Sequence, residues 1–444
     1  MMEAQLTYRQ YAWKQFKKNK PALVSFYVFL ILVLVAVLSP FLANNQPLYM
    51  KYKGESFYPV FATLFNESVT EKIVNQETGD TIQFRYKDID WRREDLEKVV
   101  WPIVAYSPGF QDKFNRDYAH PNLKQRFMSQ KGEIVDLDNK LRHYLGTDKL
   151  GRDIASGLIH GTRISLLVGL VSMGIAVFIG LLLGAAAGLY GDHSIRLTRG
   201  QFWFGWIGVF LGYFYGFYVR TQNITQAFEE SVIMGSFKVI FGVLIWVFIV
   251  FGFSQLGKLL SFGSFLRKKV NLPLDSYVNR LIEILNSLPI LILIISISSI
   301  VSGGNLWLLM IIIGITGWTG IARLIRAEML RVKNLEYIQA ATVLGFPSWR
   351  IIIKHAIPNG LAPIFVAFAF GVASAILTES ALSFLGIGVP ADIVTWGSLL
   401  SLGRAEFEAW WLVIYPGLAI FITITVFNLL GEGLRDALDP KYRK

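Results

Sequence analysis

Few residues in this chain are placed to do chemistry. Cysteine is absent, which excludes disulfides, thiolate metal sites and sulfur nucleophiles. The five histidines are His120, His143, His160, His193 and His355. They are scattered, and no two share the helical spacing that brings two imidazoles onto one ion, so no metal is expected and they read as ordinary polar or surface residues. There is no H-E-x-x-H and no G-x-x-x-x-G-K-[ST] loop, so the chain has no route of that type for binding and splitting ATP. No catalytic residue is expected. Very few ionisable groups fall inside apolar stretches, and Lys238 and Glu379 are the two to weigh. Lys238 stands near the start of its stretch and can snorkel to the surface. Glu379 stands about 27 Å along its stretch from Leu361 at helical rise, near an outer interface. It has two readings: a polar lining of a translocation path, or an interfacial carboxylate bonded to a neighbouring helix. This poverty of intramembrane acids argues for an external energy source over ion coupling.

The richest short segment is Asn334-Leu-Glu-Tyr-Ile-Gln-Ala-Ala-Thr-Val-Leu-Gly-Phe-Pro-Ser-Trp-Arg. Glu336 suits the first turn of a helix, where a carboxylate meets the positive end of the dipole. Ile338, Ala341, Leu344 and Gly345 recur at helical spacing, and Gly345 with Pro347 stops the helix. Ser348 is placed to cap a second helix over Trp349–Ile357, ended by Pro358. A helix this short cannot bury its own apolar face. It needs a groove, within the chain or on a partner, and pattern alone leaves both open.

These residues need elements to carry them. Of the 444 residues, 53% are hydrophobic, and the excess lies in long uncharged blocks of the length that crosses a bilayer. The blocks are Ala22–Ala43, Ile164–Tyr190, 201–219, 232–254, Leu281–Val301, Leu306–Ile325, Leu361–Leu385 and Trp410–Leu430, eight in all. Gly180, Gly184 and Gly188 lie four apart on one face of the second, a spacing that permits close backbone approach. The apolar run after Lys14, Lys17, Lys18 and Lys20 is too long for a secretory signal and reads as an uncleaved span. The net charge is +11, yet residues 44–153 hold 17 basic and 17 acidic residues, so the excess flanks the apolar blocks. That distribution excludes a nucleic-acid binder and orients the spans. Arg196, Arg199, Arg267, Lys268, Lys269, Arg323, Arg326, Arg331, Lys333, Arg350, Lys354 and Arg435 mark inside loops, with both termini cytoplasmic. By parity the polar segment 44–160 lies outside. Trp91, Trp101 and a strand-like Ile82–Tyr86 after a turn at 76–80 give it the makings of a small mixed domain.

The 334–358 segment resembles the cytoplasmic signature of integral-membrane subunits of bacterial ABC importers. Ala340, Ala341, Gly345 and Pro358 match that motif, Gln339 replaces the family glutamate, and Glu336 belongs to the peptide-permease variant. LGTDKLGRDIASGLIHGTRISLLVG (Leu145–Gly169), ESALSFLGIGVP (Glu379–Pro390) and FNLLGEGLRDALDP (Phe427–Pro440) resemble dipeptide and oligopeptide permeases of the C type. Ala43–Val60 resembles, more narrowly, the permease branch of microcin C-type peptide import. The resemblance implies an all-α polytopic protein of the type I importer fold, with a six-span core extended here to eight and a small mixed extracytoplasmic domain.

It divides the chain into 1–43 (N-terminus and first span), 44–160 (outer domain), 161–192 (second span), 193–272 (an inserted pair) and 273–444 (the permease core). It implies a bacterial inner-membrane subunit that moves peptides or peptide-like solutes and has no cofactor of its own. Two ATP-binding subunits would hold ATP and Mg, beside a second homologous permease and an extracytoplasmic solute-binding protein. Glu336, Gln339, Ala340, Ala341, Leu344, Gly345 and Pro358 would couple to the ATP-binding subunits. An ion-driven secondary transporter, or a membrane scaffold or sensor, are the alternatives the residues leave.

Overall fold

The computed structural model describes residues 8–438 apart from 65–68, 75–80, 95, 129–132, 138, 231, 301–304, 352, 355–356 and 391. The turn expected at 76–80 and His355 lie outside the described residues. Among the described residues, six helices are long and apolar enough to cross a membrane: Lys20–Leu42, Ile154–Tyr190, Met234–Leu259, Leu306–Val332, Gly360–Phe384 and Trp411–Leu438. Two bent helix pairs raise the total to eight if each counts as one span, Arg199–Tyr218 with Thr221–Ala227 and Leu274–Ser287 with Ile290–Ser298. The protein is a multi-pass helical membrane protein. Two spans differ from expectation. The second helix begins at Ile154, ten residues before its apolar block, because Asp153 caps it within the polar segment. The stretch Leu281–Val301 is not one helix but Leu274–Ser287 followed by Ile290–Ile300, broken before Pro289, which cannot supply a backbone N–H.

The residues divide into two compact units. The first holds 1–179, 288–321 and 361–444. Its N-terminal helix, Tyr8–Lys18, turns at Asn19 into Lys20–Leu42. The Asn19 side chain caps the second helix by accepting from the Ala22 N–H at 3.2 Å. These helices pack on Trp411–Leu438, where a Cβ at Gly433 would come within 2.2 Å of the Ala22 Cβ. Only glycine lets the two backbones approach this closely. A buried cluster of Val168, Ile294, Leu309, Met310, Ile312 and Leu382 forms the helical core. The polar segment adds a three-stranded antiparallel sheet with Tyr49–Tyr52 between Glu55–Phe57 and Lys98–Val100, in register Met50 to Phe57 and to Val99. A hairpin pairs Thr70–Val74 with Thr81–Arg85. Met50, Phe57, Tyr86 and Trp91 close a small aromatic core, and the Trp91 indole donates to the Tyr86 carbonyl at 3.0 Å. An indole buried this way needs such an acceptor.

The second unit holds 180–287 and 322–360. Gly184 and Gly188 lie against Ala322, Arg326 and Met329, with added Cβ atoms at 2.5 and 2.6 Å from the nearest atoms. The small-residue face read from the sequence is thus a contact face. Arg326 forks onto Asp275, and Asp192 accepts from the Ser276 N–H at 2.9 Å and hydroxyl at 2.7 Å. The pair read as an insertion at 193–272 forms a helical hairpin, Arg199–Tyr213 against Val232–Leu259. Gly200, Gly208, Gly212 and Gly216 line its seam, where added Cβ atoms would come within 3 Å of the opposite helix. Thr198 and Gln201 form a capping box at its start. The strands Arg196–Thr198 and Lys269–Asn271 pair at its base. Lys238 donates to the Asn223 carbonyl at 3.1 Å rather than standing free.

Candidate functional site

The Leu306–Val332 helix ends in tight turns, and Glu336–Val343 follows after three residues. Glu336 occupies the first turn of this short helix, as the dipole favours. Its end is a glycine cap. Gly345 has φ +78°, the Phe346 N–H reaches back to the Ala341 carbonyl at 3.1 Å, and the Leu344 N–H reaches Ala340 at 2.9 Å. That left-handed position explains the glycine. The helix buries Ile338 and Ala341 and exposes Glu336, Tyr337, Gln339 and Ala340. Beyond them Val343 is 86% and Leu344 74% exposed, with Phe346 also exposed and Arg350 lying over its ring at 5.0 Å. The face that groups Ile338, Ala341, Leu344 and Gly345 by spacing is thus covered at Ile338 and Ala341 and open at Leu344 and Gly345.

The second helix differs from expectation. Ser348–Ile351 is a single turn, and Pro358 does not end a helix but lies in the first turn of Ile357–Phe384. Proline is well suited there, since its missing N–H has no helical acceptor to lose.

A cavity of about 400 Å³ opens within the first unit, between the Ile154, Ile290, Leu306 and Ile357 helices. Hydroxyls of Ser172, Ser374 and Thr378 and the glycines Gly317, Gly320 and Gly371 share its lining with apolar side chains, and none of its lining residues is ionisable. Glu379 follows Thr378 but is fully buried, accepting from the Ser383 hydroxyl at 2.6 Å and from Ser380 at 3.4 Å. These bonds satisfy a carboxylate that would be costly to bury alone.

Sequence reasoning missed one polar cluster. His143, set aside with the other histidines, is fully enclosed rather than a surface residue, and lies between the carboxylates of Asp112 and Asp153. The available signal was its position two residues before the LGTDKLGRD stretch.

Comparison with known proteins matches residues 259–444 to the family described as the binding-protein-dependent transport system inner membrane component. Residues 7–58 match the N-terminal TM domain of oligopeptide transport permease C. The oligopeptide transport system permease protein OppC of Haemophilus influenzae is 33% identical over 302 residues, 68% of this chain and 71% of its own length. The inner membrane ABC transporter permease protein YejE of Escherichia coli is 26% identical over 435 residues, 97% of this chain and 96% of its own. A peptidoglycan transport system permease protein YejE of Agrobacterium fabrum is 25% identical over 441 residues, covering 97% and 92% of the two chains. The ion-driven and scaffold alternatives give way to this kinship. The chain belongs to the binding-protein-dependent ABC transporter permeases, in their oligopeptide and dipeptide branch.

Proposed function

We propose that the exposed face of the Glu336 helix is the surface through which ATP-binding subunits drive this permease. The observation that carries this reading is the exposure of Val343 and Leu344 at the end of a helix whose other apolar residues, Ile338 and Ala341, are already buried. Covering two such side chains is worth about 1.5–3 kcal/mol each. Glu336, Gln339, Ala340, Leu344 and Gly345 form the contact, Ala341 seats the helix on its own unit, and Pro358 starts the helix that receives the movement. A rigid glycine-capped turn then transmits a push as displacement rather than bending.

In this reading ATP and Mg reside in two partner subunits. A second homologous permease completes the path, and a solute-binding protein delivers a peptide or peptide-like solute on the outer side. The protein sits in a bacterial inner membrane with both termini in the cytoplasm, as the basic loops support. The uncharged cavity is this chain's wall of the path, and Glu379 stiffens that wall from behind through Ser380 and Ser383. Leu344→Asp tests the docking surface. Co-purification of the ATP-binding subunits should weaken by about 2 kcal/mol, roughly thirtyfold, with ATP-dependent uptake lost and the isolated subunit's thermal stability unchanged. Undiminished assembly and uptake would refute the assignment.

A further inference from the structure

The Leu145–Asp153 turn, LGTDKLGRD, fastens the polar segment to the start of the Ile154 helix. The Thr147 hydroxyl donates to the Asn115 carbonyl at 2.7 Å and accepts from the Ala119 N–H at 2.9 Å. Asp148 accepts from the N–H groups of Leu150 and Arg152, both at 2.8 Å, and from the Arg152 guanidinium at 2.6 Å. Gly151 has φ +79°, and a Cβ there would fall 2.1 Å from the Asp112 carbonyl oxygen, so the loop bearing Asp112 lies directly on this turn. Asp153 accepts from the Ser156 N–H at 2.6 Å with one oxygen, capping the helix. Its other oxygen meets His143 Nδ1 at 2.8 Å. On the opposite edge of the ring, His143 Nε2 meets Asp112 at 3.3 Å, and Asp112 also accepts from Asn115 Nδ2 and the Phe114 N–H, both at 2.9 Å. Gln125 holds the His143 backbone at both its N–H and its carbonyl. His143 is 0% exposed, Asp153 2% and Asp112 6%.

The other groups packed around the ring are Tyr106, stacked on its face at 3.9 Å, and beyond it Arg92, whose guanidinium lies 4.8 Å from the Tyr106 ring and pairs with Asp90. Two carboxylates on opposite edges of one imidazole do not converge on a common point, and no metal-holding group is formed among the described residues. They do fit a proton. A neutral imidazole has one N–H and one lone pair, so it can satisfy one carboxylate only and turns its lone pair toward the other. The imidazolium has two N–H groups and satisfies both.

We propose that His143 is a proton-operated latch that ties the Asp112 loop to the capped end of the Ile154 helix. Loss of the proton leaves the shorter bond to Asp153 in place and frees the Asp112 side, loosening residues 112–119 from the Leu145–Asp153 turn. The direction follows from the surroundings. Burial pushes the imidazole down, but bonds to Asp112 and Asp153 outweigh it and hold the group above its ordinary value of 6.5. Burial likewise opposes ionisation of Asp112, yet its bonds to His143 and Asn115 keep it below the usual carboxylate value. The latch therefore contributes fully between about pH 4 and about pH 6.5 and is lost as pH rises through the higher folded value of His143 or falls through the lower one of Asp112.

The test is hydrogen exchange of the full chain in nanodiscs between pH 6 and 10, corrected for intrinsic rates. Amides in 112–119 and 143–153 should lose protection by about tenfold or more in one step above pH 6.5. Asp112→Asn keeps a hydrogen-bonding group but removes a charge, and should move the step about one pH unit toward acid. His143→Gln should abolish the step. Should that variant fail to fold, the Asp112→Asn shift decides alone. Flat wild-type protection over this range, or a step that Asp112→Asn leaves in place, overturns the latch.

Discussion

The Glu336 helix and the turn around His143 are both short elements with little regular structure of their own, and they settle their surfaces in opposite ways. The helix carries Glu336 in its first turn, closes on the Gly345 cap, and leaves Val343, Leu344 and Phe346 exposed. The turn and the loop on it bury four ionisable groups, Asp112, His143, Asp148 and Asp153, and bond each of them, with Asp153 serving a helix end and a histidine at once. An element that ends in exposed apolar side chains leaves area that a second surface can cover. An element with enclosed, mutually bonded charges is already complete, and only a change in charge alters it.

The comparison breaks most severely at Asp153. Asp153→Ala removes the helix cap and leaves the imidazolium with one partner. We expect a loss of about 3–5 kcal/mol, seen as a large fall in the thermal unfolding midpoint, because breaking a buried pair strands the remaining charge. A small effect would mean that the turn is not held by its charges. A smaller loss, about 1 kcal/mol, is expected for Gly345→Ala, since a side chain at φ +78° is strained while nothing lies within 4 Å of an added Cβ. If the cap aims the proposed docking surface, uptake should fall more than stability does. The smallest perturbation sharpens the contrast while leaving the bonds of His143 and the exposed face of the Glu336 helix in place. Single cysteines at Tyr144 and Lys333, in a chain that has none of its own, should leave stability unchanged within about 0.5 kcal/mol. An impermeant reagent should label Tyr144→Cys from outside and Lys333→Cys from inside only, so that labelling of both from one face would place the two regions in the same compartment.

Much of the architecture was legible because a bilayer forces it. Long apolar blocks have few alternatives to a helix, and glycines four apart had few uses besides the contact that Gly184 and Gly188 make with Ala322 and Met329. What hydropathy does not read is where a span breaks. Leu281–Val301 is as apolar as its neighbours, and Pro289 marked the discontinuity more clearly than the average did. Direction is also hidden in a short window: Pro358 ends one helix or begins another with the same residues around it, and here it begins one. On the Glu336 helix, spacing grouped Ile338, Ala341 and Leu344 on one face without saying what covers it; Ile338 and Ala341 are buried and Leu344, next to the glycine cap, is exposed. His143 was illegible for a different reason. Its carboxylate partners stand 31 and 10 residues away, with no periodic relation to it.

The ribbon at the base of the 193–272 hairpin places Arg196 opposite Asn271, and paired strands hold such residues about 5 Å apart. The segment between the two strands therefore starts and ends at almost one point, and beyond that stem Trp206 also meets the Tyr277 ring edge-on at 6.2 Å. Its helices settle their seam against each other through glycines, so a bridge of two or three residues across the stem would span the gap.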